Sequence, residues 1–510
     1  MFQSTRCRLL VTAALLAAPQ PLLAELSAAD FWAAQTTVLN TLGGETTSSF
    51  VREGNVETRS DINFSFALPF DAGTIGMSMT DLRLTENDDG SLTMEYVEPV
   101  RLDLSAEITG EGRFGVGIEL ELQDHRSVVT GEPGDITLDY FVGQMTLSVT
   151  DIEASGDELD DMLLKISGDF SDMSGQTNIT LGDLIALAAT TSIGSQKIEY
   201  EFTDPTGGFV TGTGGAGQMT TRGDVDLPSR GMDIMNLAAA LQQGLRFTVD
   251  AEVVDYTNGQ TTRVDGEVLA RQITETAEQK VRYNFDHNGL VADILARDSY
   301  IEMTLGPILP APLSARIADM SSVLELPVSA SEDPQDMRIQ ANMEGLSLGE
   351  GIWAMFDPGQ ALPRDPATVS LDLSGKVRNL VDWLNFPQVQ ALFESGGVPA
   401  EPLEMTVNQL EIAAVGARLQ GSGDLEFDNS AMPAGPPIPF GTVDLSLSGA
   451  NGLIDTLIAM GLVQEADAMG ARMMMGIVAV PDPSGAEDAL VSKIEMTRDG
   501  QILANGQRLK

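Results

Sequence analysis

The chain has 510 residues, 75 Asp+Glu against 29 Lys+Arg, a formal charge of −46, and 43% hydrophobic residues. That apolar fraction can build a sizeable core and excludes wholesale disorder. One cysteine and two histidines exclude disulfide scaffolds, zinc ribbons and thiol catalysis, and the acidic balance excludes nonspecific nucleic-acid binding and simple adhesion to anionic membranes.

The N-terminus carries Arg6 and Arg8, ten residues from Leu9 to Ala18 dominated by Leu and Ala, and then Pro19-Gln20-Pro21-Leu22-Leu23-Ala24-Glu25. This is the three-part plan of a secretory signal, with the cut expected between Ala24 and Glu25. Ten residues make about 15 Å of helix, half the hydrocarbon thickness of a bilayer. Residues 1–24 are therefore read as a signal peptide and the mature chain as periplasmic. Cleavage takes Cys7 away and leaves 27 basic against 75 acidic residues, a charge of −48. No later run approaches 18 uninterrupted apolar residues; the best, Leu453 to Val463, is broken by Asp455, so no transmembrane segment is expected in the mature chain.

Ser27 and Asp30 approximate a capping box for a helix whose face is Phe31, Ala34, Val38 and Leu42, stopped by Gly43 and Gly44. The apolar period then changes to two. Leu82 and Leu84 lead through Asn87-Asp88-Asp89-Gly90 into Leu92, Met94 and Tyr96, a hairpin. Further strands are read at 102–108, 114–122, 136–140 and 145–149, each with one dry face, as in antiparallel sheets. His125 is read as ending a strand.

The Gly-rich stretch Gly207 to Gly217 is read as a flexible loop near a boundary at Pro228. It divides an N-terminal β-meander region, 25–228, from a β-rich region with short helices, 229–510, which can be continuous with it. A short helix with an Asp233 cap and a Gly244 stop follows, then alternation from Phe247 to Val253 and an Asn258-Gly259 turn. Proline clusters at Pro307, Pro310 and Pro312, and from Pro433 to Pro439, read as loops or edge crossings. A weak repeat joins Ser370-Leu371-Asp372-Leu373-Ser374-Gly375 to Asp444-Leu445-Ser446-Leu447-Ser448-Gly449, each followed by an expected helix, Val377 to Leu384 and Leu453 to Met460, with Leu163 to Gly168 a fainter third copy. The fold expected is mainly β: extended, curved antiparallel sheet with a few short amphipathic helices.

Short chemical motifs fail on context. Gly345-Leu346-Ser347-Leu348-Gly349 matches a nucleophile elbow, but His125 and His287 both lie upstream and the leucines alternate as in a strand. Gly212-Thr213-Gly214-Gly215-Ala216-Gly217 matches a dinucleotide fingerprint without an amphipathic helix behind it. Asn87 to Gly90 lacks calcium-loop acids at Thr85 and Tyr96. No catalytic residue, cofactor or metal ligand is assigned, and the protein is read as not an enzyme.

Around Trp353-Ala354-Met355-Phe356-Asp357-Pro358, Leu362-Pro363-Arg364-Asp365-Pro366-Ala367, and from Met469-Gly470-Ala471-Arg472 to Arg508, the sequence resembles domain-of-unknown-function family 2125, an exported alphaproteobacterial group. The helix Met235 to Gly244 is similar too, and the resemblance extends over most of the mature chain. It implies a periplasmic, cofactor-free protein with no assigned biochemical role. Trp353, Phe356, Asp357, Arg364 and Asp365 form a candidate structural or binding motif. In it the prolines make a rigid crossing, Arg364 has Asp357 and Asp365 as candidate partners, and the aromatics anchor the crossing on the sheet. Met473 to Met475 are read as core fillers.

Two functions fit. The first is binding of a lipid or other apolar envelope component in a sheet-lined groove, with a fold-level similarity to periplasmic AsmA-like proteins. The second is a structural or protein-interaction role in the envelope, without a small-molecule ligand. More apolar surface than the core can hide favours the first.

Overall fold

The computed structural model describes residues 26–68, 71–110, 112–154, 164–203, 208–306 and 308–509, so the leader and the expected Ala24–Glu25 cut lie outside the described residues. Helix α1 (Ala28–Thr41) precedes thirteen strands: β1 (Gly44–Glu53), β2 (Val56–Leu68), β3 (Gly73–Met79), β4 (Leu82–Glu86), β5 (Leu92–Tyr96), β6 (Val100–Ile108), β7 (Gly112–Glu132), β8 (Asp135–Ala154), β9 (Leu164–Leu181), β10 (Leu184–Ile193), β11 (Ser195–Thr203), β12 (Phe209–Ala216) and β13 (Gln218–Pro228). After α2 (Leu237–Gln242) come β14 (Arg246–Val264), β15 (Glu267–Asp286), β16 (Gly289–Leu305), β17 (Leu309–Leu326), β18 (Gln335–Leu348), α3 (Glu350–Phe356), β19 (Ala367–Asn379) and α4 (Phe386–Glu394). The chain ends with β20 (Ala400–Ala414), β21 (Ala417–Asp428), β22 (Ile438–Ser448), α5 (Ala450–Ala459), α6 (Glu465–Val478), β23 (Val480–Pro481), β24 (Ala489–Met496), β25 (Ile502–Ala504) and β26 (Gln507–Arg508).

The strands join one antiparallel sheet, so the expected mainly β architecture with short helices is what the chain adopts. From β14 to β22 each strand pairs with the next in sequence. Earlier, two places split. β2 reaches β7 through β3–β6 on one half of its length and β4–β5 on the other. β9 reaches β14 through β10–β13 and β11–β12. The ladder runs from β13 into β14 across Pro228.

The long strands, up to 21 residues in β7 and about 70 Å at the usual rise, share a crease at mid-length. On one face the neighbouring positions that straddle it are three residues apart instead of two: Leu122 and His125, Phe170 and Met173, Val253 and Tyr256. Both strands of each pair, β7–β8, β8–β9 and β14–β15, carry the extra residue, so the ladder keeps its register across the crease. Asp124, Asp172, Asp255 and Asp298 sit there with φ between 49° and 54°, a left-handed conformation that Asp tolerates better than bulky residues do. Opposite three of them stand Gly143, Gly194 and Gly217, where an added Cβ would lie 3.0, 2.9 and 3.2 Å from the Asp Cβ.

This crease corrects the element boundaries read from alternation. The expected strands 136–140 and 145–149 are one strand, β8, and His125 lies inside β7. Asn258-Gly259 is strand interior within β14. The Gly-rich stretch read as a loop forms β12 from Phe209 onward, because Gly212 lies under the Tyr200 ring, where a Cβ would collide.

The α1 capping box forms as expected: Asp30 N–H donates to Ser27 Oγ at 3.2 Å and Ser27 N–H to Asp30 Oδ2 at 3.1 Å. Phe31, Ala34 and Val38 are buried, but Leu42 is the exposed C-cap. Helix α2 is capped by Asn236, not Asp233. Helix α5 falls where the repeat placed one; its counterpart does not, since Val377 to Asn379 finish β19 and α4 begins at Phe386. The main buried cluster joins α1 to Ile62, Leu84, Leu92, Ile136, Ile185 and Leu227 and to Leu241 of α2.

Candidate functional site

Cross-strand register sorts the sheet into an apolar and a charged face. Val281 faces Ala251 and Ile294, and the row continues through Ser322, Ala341 and Leu371 to Leu410. Adjacent rows carry Tyr283, Ala292, Leu324, Ile339 and Leu373, and Ala296, Met320, Met343, Val369 and Ile412. The opposite face holds ion pairs such as Arg282–Asp250 at 2.7 Å, Arg297–Glu278 at 2.8 Å and Arg338–Asp372 at 2.8 Å. The Arg338 hydrogen bond holds the Asp372 carboxyl below its ordinary value against the opposing effect of burial.

Much of the apolar face is uncovered. Ile294, Ile301, Met320, Ile339, Val369 and Ile412 are between 36% and 44% exposed, as are Leu104, Phe114, Ile198, Phe247 and Met303, and Ile75 reaches 46%. All twelve lie on this one face by register. Single exposed apolar residues are ordinary; a contiguous set on one face marks an interaction surface.

Helix α1 covers one end of this face, packing on β1 and β4. Beneath it lies a cavity of about 200 Å³ walled by Trp32, Phe64, Met79, Met94, Tyr96 and Leu138 among others. Burial pushes the Tyr96 phenol above its ordinary pKa. Beside the cavity, Arg59 sits 4.6 Å from the Trp32 ring centre and 4.9 Å from that of Phe50. Its Nε donates to Glu57 Oε1 at 2.8 Å and its Nη1 to Ser48 Oγ at 3.3 Å. Arg59 and Glu57 are both buried, a paired charge on an otherwise apolar face. No sequence signal marked it: Glu57-Thr58-Arg59 reads as ordinary strand polarity.

The Trp353 motif packs as one unit. Helix α3 lies on β17; Trp353 is buried, with the Phe356 ring 5.1 Å away and the Arg364 guanidinium 4.1 Å over its face. Asp357 is 1% exposed and accepts from the amides of Ala361 at 2.8 Å and Leu362 at 3.1 Å. Burial raises its pKa, but those two amides and Arg364 outweigh it and hold the carboxyl below the ordinary value. Arg364 takes Asp357 as partner at 3.4 Å, with Glu350 at 3.8 Å, while Asp365 is exposed. The geometry is that of a pinned crossing.

At the C-terminal end Asp488 caps α5 from outside, accepting from Asn451 N–H at 3.1 Å and Gly452 N–H at 2.9 Å. Arg472 of α6 ties back to Asp455 at 2.6 Å. Met473 and Met474 are 64% and 57% exposed, so the core role read for them is wrong. Helix α6 packs against α5 and leaves both methionines in solvent.

Ser347 lies in β18 opposite Arg316, and His287 in the hairpin tip between β15 and β16. Among the described residues no three His, Cys, Asp or Glu side chains converge as metal ligands, and no helix is long and apolar enough to cross a membrane.

Residues 258–505 match the sequence model of a family described as "Uncharacterized protein conserved in bacteria (DUF2125)". The resemblance read at Trp353 to Ala367 and from Met469 onward is borne out there; the match starts after the α2 helix and spans less of the chain than expected. No curated protein matches the chain.

Proposed function

We propose that this protein, whose C-terminal half matches an uncharacterised bacterial family, is an exported, periplasmic, non-catalytic protein that holds a lipid or other apolar envelope component against its apolar sheet face. The observation that carries the reading is the one-sided set of twelve large apolar residues left at least 36% exposed. A stable monomer has no use for such a surface in water, since burial is worth roughly 25 cal/mol per Å². The acidic opposite face keeps the protein soluble and makes anionic membranes a poor resting place.

The test is equilibrium binding of an environment-sensitive fatty-acyl probe to the exported protein. Ile294→Glu with Ile339→Glu is expected to weaken binding at least ten-fold, while Arg282→Glu, on the charged face, leaves it unchanged. Equal binding by all three proteins contradicts the reading. A second reading, contact with an envelope protein, is favoured at one place: Met469, Met473 and Ile477 of α6 form an exposed stripe at helical spacing, with Leu462 beside it in sequence.

A further inference from the structure

We infer that the cavity under α1 is a polar-headed subsite that receives an uncharged hydroxyl-bearing part of an acyl ligand, whose remaining chain runs out onto the apolar face. The inference rests on the reading of that face as a lipid-binding surface and assigns which ligand chemistry it takes and where.

Three observations converge. The cavity is about 200 Å³, on the scale of apolar cavities of about 150 Å³ that take up a benzene ring and too small for a whole lipid. It suits one end of a longer molecule. Second, two of its wall residues, Thr36 of α1 and Thr46 of β1, have hydroxyl oxygens that are buried and lack a hydrogen-bond partner among the described residues. Thr37 and Thr41 on the same helix give their hydroxyls to the carbonyls of Ala33 and Thr37; Thr36 does not. A buried hydroxyl without a partner is costly, and two in one apolar cavity call for a ligand with a hydrogen-bonding group between apolar segments.

Third, the charge balance selects against an ionised headgroup. No charged side chain lines the cavity. The adjacent cation, Arg59, is committed to Glu57, Ser48 and the rings of Trp32 and Phe50. A carboxylate there would be buried without a counter-charge, which is strongly disfavoured. An alcohol, ester or amide carries no such penalty. The way out is also built: Phe64 and Met79 of the cavity wall share the face with Met77 and Leu104, and then with Ile75 and Phe114, the last three exposed.

The experiment is calorimetric titration of the protein, purified after export, with methyl 3-hydroxydecanoate and with methyl decanoate. Wild type is expected to bind the hydroxylated ester about ten-fold tighter, as one well-made buried hydrogen bond allows. Thr36→Val with Thr46→Val keeps the shape, removes both hydroxyls and is expected to erase the preference while leaving the plain ester's affinity in place. Its unfolding midpoint should equal or exceed that of wild type, because two unpartnered polar groups are gone. Equal affinities in wild type, or a preference that survives in the double variant, overturns the subsite while leaving the face as a lipid surface. Failure of both esters to bind overturns the subsite together with the reading on which it rests.

Discussion

At the scale of single residues, the carboxylates show how far polarity has been satisfied rather than avoided. Glu57 is held by Arg59 on the apolar face, so Arg59→Ala strands a buried charge and should cost about 3–5 kcal/mol in urea unfolding, whereas replacing both by apolar residues of similar volume should cost far less. Asp488 supplies a helix cap from a loop 36 residues beyond Gly452. Asp488→Ala should cost about 1 kcal/mol by the same measurement, while Asp365→Ala, on an exposed side chain, should cost nothing measurable. Both Asp357 and Asp488 titrate below the ordinary carboxylate value when folded. Their stabilising effect is therefore complete above the unfolded pKa, near 4, and disappears as pH falls through the lower folded value. Asp357→Asn and Asp488→Asn should each flatten the acid limb of the stability–pH curve; an unchanged limb would contradict the carboxylate roles. Chain order revealed the Asp357–Arg364 motif because its prolines and aromatics are adjacent in sequence. Glu57–Arg59 stayed hidden because what encloses the pair, Trp32 of α1 and Phe50 of β1, comes from other elements, and Asp488 because the amides it caps lie in α5, far back in the chain.

At the scale of elements, alternation located most strands but not their continuity. Each long strand inserts one residue at the crease, so the apolar period slips by one and a single strand reads as two. Tyr140 and Met145 in β8 show this, with Gly143 between them facing Asp124. The signal that would have found the crease is an Asp or Gly placed inside an alternating run, where either residue ordinarily marks a turn. The helices obeyed local rules more closely: α1 formed where its capping box placed it, and α2 and α4 share an Asp-x-x-Asn lead-in, Asp233 to Asn236 and Asp382 to Asn385, whose two asparagines bridge each other. The crease makes its own prediction. Asp172→Gly should be neutral or slightly stabilising, since φ is 50° there, while Asp172→Val should destabilise by roughly 1–2 kcal/mol. Equal effects in chemical denaturation would mean that the left-handed residue is not what shapes the strand.

At the scale of the whole molecule, a chain with a formal charge of −46 has separated its apolar residues onto one face of a sheet roughly twenty strand positions wide, on the order of 100 Å. Among the described residues helices cover that face only in part: α1 and α2 bury one end, and large apolar residues of the middle rows, Ile294, Met320, Ile339, Val369 and Ile412, stay exposed. Sequence alone gave the alternation that makes such a face, yet whether its rows would be hidden depended on how the helices pack, which no local pattern states. The measurement that tests the central claim most directly is native mass spectrometry of the protein purified from a bacterial periplasm, paired with lipid extraction. The account predicts a stoichiometric lipid adduct that exchanges with added lipid. A clean apo mass that stays unchanged across a panel of envelope lipids would contradict it.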